Sequence, residues 1–240
     1  MNDTIADQMV HQHVRMLRVG AAFASDVRQR VGAIGTQLIQ LLHRHDPALP
    51  TRLSTRLRHV DTVVDESAPL MRTAYRELAT ESLDTIVQAA LTDLERIATS
   101  VNETADVPLL QNIPEASSLR EILRTAPFPS ADLATIPSAT LPEWWARQSG
   151  AMGQKVADTL RVGVRQEDTL SQLIARLRGT AKHNFEDGVI ALSQRNAEAV
   201  ALTAMSAGAN QGRVALWDAN SEVIKGIVHV STLDNRTTRV

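Results

Sequence analysis

Cysteine is absent from the 240 residues. Its absence excludes disulfides, thiolate zinc sites, iron–sulfur clusters and cysteine nucleophiles within this chain. Aromatic residues are nearly absent: Phe23, Tyr75, Phe128, Trp144, Trp145, Phe185 and Trp217 are all there are. Compact β-rich domains draw heavily on aromatic and β-branched side chains, so this scarcity argues against one. Lysine is equally sparse, with Lys155, Lys182 and Lys225 the only three among 25 Lys and Arg. No stretch of about 18 uninterrupted apolar residues occurs, so none reads as a membrane-spanning helix. The N-terminus carries Asp3 and Asp7 and lacks the basic stretch and apolar core of a secretory signal. A net charge of −2 excludes a strongly basic protein. The segment 146–240 has an excess of three positive charges, too few to indicate nucleic-acid binding unaided. Gly-rich phosphate loops, nucleophile elbows and HExxH patterns are also missing.

What remains is Ala, Leu, Val, Thr and Arg in helical periods. Val27, Val31, Ile34, Leu38 and Leu41 step by four and three, and Ile5, Met9, Val14 and Leu17 continue roughly the same face upstream. The spacing predicts one helix from 4 to about 45, ended by Asp46-Pro47 and Pro50. A second helical stretch runs from about 51 to 101 on Leu53, Leu57, Val60 and Val64, then Met71, Tyr75 and Leu78, then Ile86 to Val101. Pro69 predicts a break or kink near 66–69. Residues 1–105 therefore read as an elongated helical hairpin or bundle.

Six of the nine prolines lie between Pro108 and Pro142. This marks 106–140 as a Pro-rich connector, either a linker or an arm across another surface, with one short helix near Ser117–Thr125. Helices resume at Thr140-Leu141-Pro142-Glu143, a capping residue followed by Pro and an acid, and run to about Val164. Thr169 caps a helix over Leu170–Leu177 that Gly179 stops, and a long Ala-rich helix spans about 181–218. Val223 to Val230 reads as one strand, which needs a pairing partner beyond Val240 or in another molecule. The fold class is mainly α: a helical hairpin or bundle, a connector, and a helical segment 141–240 ending in a strand and expected to continue past Val240.

Candidate functional residues are few. His11/His13 and His43/His45 are i, i+2 pairs whose side chains diverge on a helix, so no metal site is expected and these histidines read as solvated faces. Trp144 and Trp145 are adjacent and diverge by about 100°, so one packs inward and the other meets a second surface. With Phe128 they form the candidate partner interface, since aromatics anchor interfaces. In the tail, Ser231, Thr232, Leu233, Asp234, Arg236, Thr237 and Thr238 follow the strand as a turn. There Asp234 accepts backbone amides and Arg236 offers a fork for a carboxylate or phosphate.

This tail resembles the phage head-morphogenesis family, the minor head proteins of the Mu F-like type. In that family a helix carrying an arginine and a downstream asparagine leads into a segment like IKG, a strand, and a string like STLDxRTT. The corresponding residues here are Arg195, Asn210, Asn220, Ile224-Lys225-Gly226 and Ser231-Thr232-Leu233-Asp234-Asn235-Arg236-Thr237-Thr238. The resemblance covers 150–240, and more loosely the connector APFPSADLATIPSATLPEWW. It implies a virion protein without catalytic activity or cofactor, built into the head at the portal vertex in several copies. Its implied partners are the portal protein, other head proteins and packaged DNA, and its implied roles are head morphogenesis and DNA packaging or ejection. The tail motif is expected to be a structural turn. The alternative is the non-catalytic N-terminal part of a phage-encoded enzyme or toxin whose active domain follows Val240. A stand-alone helical DNA-binding protein fits the net charge poorly.

Overall fold

The computed structural model describes residues 2–49, 51–128 and 139–224, with side chains at 11 and from 14 onward. Among them are six α-helices: α1 (Asn2–His45), α2 (Leu53–Ala105), α3 (Ala116–Thr125), α4 (Leu141–Arg165), α5 (Leu170–Arg178) and α6 (Val189–Ala219). The mainly-α fold is therefore observed. α2, with 53 residues, is about 80 Å long at the standard rise.

Four helices form a bundle in which neighbours alternate in direction. Arg30 pairs with Glu81 and Arg44 with Glu66, so α1 and α2 run antiparallel. Arg161 meets Asp61 at 3.0 Å and Met152 meets Tyr75, so α4 returns along α2. Gly20 faces Met205 and Gly35 faces Ile190, so α6 runs back along α1. α2 and α6 lie parallel across the diagonal, with Ile86 against Gly208 and Ala90 against Gly212. The core draws on all four: Val27, Val31, Ile34 and Leu38 of α1, Val60, Val63 and Ile86 of α2, Trp145, Val156 and Leu160 of α4, and Ala197, Ala201 and Ala204 of α6. Segments that the sequence separates at the connector thus share one buried core.

The first long stripe behaves as its spacing requires, and Val27 to Leu41 are buried. Upstream, Val14 and Leu17 are 42% and 51% exposed, while Met16 packs partly buried against the core. α2 continues through Pro69 without a break. Pro69 removes the amide that would bond the Asp65 carbonyl, but both residues are exposed, where water can take its place. On the opposite side Val63, Ser67, Met71 and Tyr75 are buried and hold the helix in register.

The described part of the connector, 106–128 with 139 and 140, packs on its own chain. Leu110, Leu119, Leu123, Phe128 and Ala139 are buried, and Phe128 and Ala139 form one antiparallel bridge, with the Phe128 amide donating to the Ala139 carbonyl at 2.9 Å. α4 starts as its sequence predicts. The Thr140 amide donates to Glu143 Oε2 at 2.8 Å and closes a capping box, which holds the Glu143 carboxyl below its ordinary pKa. Gly179, at φ 98°, ends α5.

α6 begins later than the Ala-rich pattern suggests. Residues Ala181–His183 form a 3₁₀ turn, Asn184 and Phe185 take positive φ, and Gly188 folds back onto the Gly179 backbone. Asp187 accepts from the Thr180 amide and hydroxyl, both at 2.7 Å, which closes this loop before the helix starts. The strand expected over 223–230 lies almost wholly outside the described residues. At its start, Val223 belongs to a turn and Ile224 to neither helix nor strand.

Two glycines separate packing from propensity. A β-carbon at Gly208 collides with Ile86, whereas one at Gly150 meets nothing within 4 Å. Gly150→Ala should therefore stabilise the chain by about 0.5–1 kcal/mol through helix propensity alone. Gly208→Ala should destabilise it by about 1–3 kcal/mol despite the same propensity gain. Urea unfolding followed by circular dichroism measures both.

Candidate functional site

The tail residues Lys225, Gly226, Ser231, Thr232, Leu233, Asp234, Arg236, Thr237 and Thr238 lie outside the described residues. The point from which that tail departs is described, and it is built around Asn220. This residue follows the last turn of α6 and is 4% exposed. Its side-chain oxygen accepts from the amides of Gln111 and Asn112 at 3.1 and 3.0 Å. Its side-chain nitrogen donates to the carbonyls of Asn112 and Leu216, both at 2.8 Å. Both donors and both acceptor sites of one buried amide are thereby filled.

A second asparagine does the same from α2. Asn102 Oδ1 accepts the Leu110 amide at 2.8 Å, and its Nδ2 donates to the Leu110 carbonyl at 3.0 Å. The extended stretch 110–112 is therefore hydrogen-bonded on both sides by side chains that stand in for neighbouring strands. Asn112 adds a bond from its own Nδ2 to the Ala219 carbonyl at 3.1 Å. Underneath, Leu110, Leu119 and Leu216 join Leu94, Ile97 and Ala98 in a second apolar cluster, on which Ile224 also packs. The Asn220 carbonyl accepts the amides of Val223 and Ile224, both at 3.1 Å, and turns the chain as it leaves the helix. About two helical turns back, Arg213 donates to Asp93 at 3.0 and 2.9 Å, with Asp93 only 4% exposed, and locks α6 to α2.

The other residues of the tail resemblance are not gathered here. Arg195 is exposed near the start of α6, where its Nη1 donates to the Glu186 carbonyl at 3.1 Å, and Asn210 lies exposed in mid-helix. The expected interface aromatics turn inward. Trp145 is fully buried and its ring centroid lies 6.1 Å from that of Tyr75. Burial raises the Tyr75 hydroxyl well above its ordinary pKa. Phe128 is also buried, and Trp144 is half-buried beside it, Leu141 and Val200. Burial thus corrects the partner-anchor expectation for Trp145 and Phe128, whose surface is already spent on this chain's own helices. Adjacent tryptophans do diverge, but both directions lead into protein.

Thr180, His183 and Asp187 bring a hydroxyl, an imidazole and a carboxylate together. The Thr180 hydroxyl lies 3.0 Å and Asp187 3.2 Å from the same ring nitrogen, Nδ1 of His183. A nucleophile–base–acid relay needs the hydroxyl and the carboxylate on opposite ring nitrogens. This geometry instead closes a loop, as the direct Thr180–Asp187 bond indicates. Among the described residues no group of three or more His, Asp or Glu is placed to hold a metal ion. The sequence singled out Asn220 only through its place in the resemblance. Asn102 and Asn112 were missed, because an asparagine near a helix end carries no signal of a partner far away in sequence.

Two measurements probe these networks. Asn220→Ala removes four hydrogen bonds and strands the Gln111 and Asn112 amides. It should destabilise the chain by about 1–3 kcal/mol in chemical unfolding, because water reaches these exposed residues in part. Hydrogen exchange should quicken at 110–112. At Asp187, the Thr180 hydrogen bonds hold the carboxyl below its ordinary pKa. A lowered folded pKa stabilises above the unfolded value and is lost as pH falls through the folded one. The Thr180 amide resonance should therefore report loop opening as pH drops below about 4.

No protein-family model, no curated protein and no solved structure matches this chain.

Proposed function

We propose that the chain is a minor head protein of a tailed bacteriophage. It is a non-enzymatic virion component associated with the portal vertex, and it acts in head assembly and in DNA packaging or ejection. The observation that carries this reading is the string Ile224-Lys225-Gly226 followed by Ser231-Thr232-Leu233-Asp234-Asn235-Arg236-Thr237-Thr238. Asn220 adds support. It precedes the string, belongs to the same resemblance, and spends its side chain on tying α6 to the connector.

Such a role asks for a rigid body with long faces rather than a reaction centre. A bundle whose longest helix is about 80 Å presents such faces to large neighbours. In this reading the portal protein and other head proteins contact the outer helix surfaces, and packaged DNA is a further contact. Copy number then follows the ring symmetry of the portal or a fraction of it.

The test is quantitative mass spectrometry of purified virions and of empty procapsids from the phage whose reading frame encodes this chain. The chain should be present in both, at a small fixed number of copies per portal ring. Its absence from virions and procapsids alike, with the protein abundant in the infected cell, would overturn the proposal.

A further inference from the structure

The outer side of α2 carries a charge pattern that its own chain leaves largely unpaired. Asp61, Asp65, Arg72 and Arg76 are all exposed. At 100° per residue they fall within an arc of about 60° and form one stripe about 22 Å long. Arg161 of α4 donates to Asp61 Oδ1 at 3.0 Å. Asp65, Arg72 and Arg76 have no ion pair or side-chain hydrogen bond among the described residues. Within one helix this order of charges is unfavourable. Asp61 and Asp65 stand four positions apart, as do Arg72 and Arg76, and like charges at that spacing repel. The nearest opposite charges of the stripe, Asp65 and Arg72, are about 10 Å apart along the axis.

The complement of this stripe is the stripe itself, turned end over end. Two negative charges, a gap centred between Ala68 and Pro69, and two positive charges then face their opposites, Asp61 against Arg76 and Asp65 against Arg72, twice over. The centre suits close approach. Ala68 and Pro69 have short side chains, and helix axes that meet through such residues can lie about 8–10 Å apart. Arg72 and Arg76 also line an open groove of about 660 Å³ between α2 and α4. Its other walls are largely apolar, with Met71 and Tyr75 on one side and Ala146, Gly150, Gly153 and Ala157 on the other. A β-carbon at Gly150 meets nothing within 4 Å, so the α4 wall leaves room for a further helix.

We propose that two copies of this chain pair antiparallel through α2, about a two-fold axis near Ala68 and Pro69. Asp65 faces Arg72 and Asp61 faces Arg76 of the other copy, and each α2 lies along the α2–α4 groove of the other. The same patch serves on both copies, so the contact closes at two. The contact is argued from the order and exposure of charge on α2 and stands apart from the phage reading.

Sedimentation equilibrium on the full-length chain tests it. The wild-type chain should pass from monomer to dimer as concentration rises and stop there. Asp65→Arg alone, and Arg72→Asp alone, each set like charges opposite one another on both sides of the axis. Each should weaken the dimer at least about tenfold. The two single variants mixed should associate again, because every contact between positions 65 and 72 in the mixed dimer is then opposite in sign. The chain carrying both substitutions should dimerise by itself. A wild-type chain that stays monomeric, assembly beyond two, indifference to the single substitutions, or a mixture and a double variant no better than the singles would overturn the proposal. A second measurement does not depend on those variants. The chain has no cysteine, so Pro69→Cys places its one thiol beside the axis, where it should form a disulfide between copies under mild oxidation. Thr80→Cys is also at an exposed position, yet lies about 35 Å along the axis from its counterpart and should stay reduced. Equal rates at the two positions would count against the two-fold pairing.

Discussion

Close approach of long helices is the constraint on which the rest of this structure depends. With few aromatic side chains, the core must be filled by Val, Leu, Ile and Ala, whose reach is short. Short side chains exclude water only if the helix axes draw together. Gly35 accepts Ile190 and Gly208 accepts Ile86 at distances that leave no room for a β-carbon. Helices of 44, 53, 25 and 31 residues then hold one another along much of their length, and dispersion and burial accumulate over many small contacts. Glycines weaken a helix by about 1 kcal/mol each, and here the packing they allow outweighs that loss.

Polar side chains at the bundle ends fasten loops to helices. At one end Arg56, only 9% exposed, donates to the carbonyls of Pro47 and Asp168 at 3.0 and 3.1 Å, joining the α1–α2 turn to the α4–α5 turn. At the other end Asn102 and Asn220 grip the connector. Both arrangements satisfy carbonyls or amides that no helix can satisfy, which is why buried charge and buried amide are tolerated at these places. The described part of the connector therefore belongs to the fold, and its stretch 110–112 is an extended path bound by side chains.

Much of the architecture was legible in the residues. The α1 stripe, the α4 capping box, the Thr169 cap and the Gly179 stop all follow from local chemistry, and each appears where spacing put it. The candidate site was less legible. Asn220 could be picked out only by resemblance, and its partners Gln111 and Asn112 lie more than a hundred positions away. Trp144, Trp145 and Phe128 looked like partner contacts because large aromatics beside a Pro-rich stretch are the same in sequence whether they face another protein or their own.

The sequence by itself determined that the chain is helical, roughly where each helix begins and ends, and which stripe of each helix is apolar. These follow from interactions within about four residues of one another, which the order of residues states directly. Only the tertiary structure decided that α2 runs through Pro69, since that depends on which side of the helix meets water. It also decided that α6 waits until Val189, because the 179–188 loop closes through contacts between residues seven or more positions apart. And it decided that the two helical segments form one core, since a stripe states that a face must be buried but not against what.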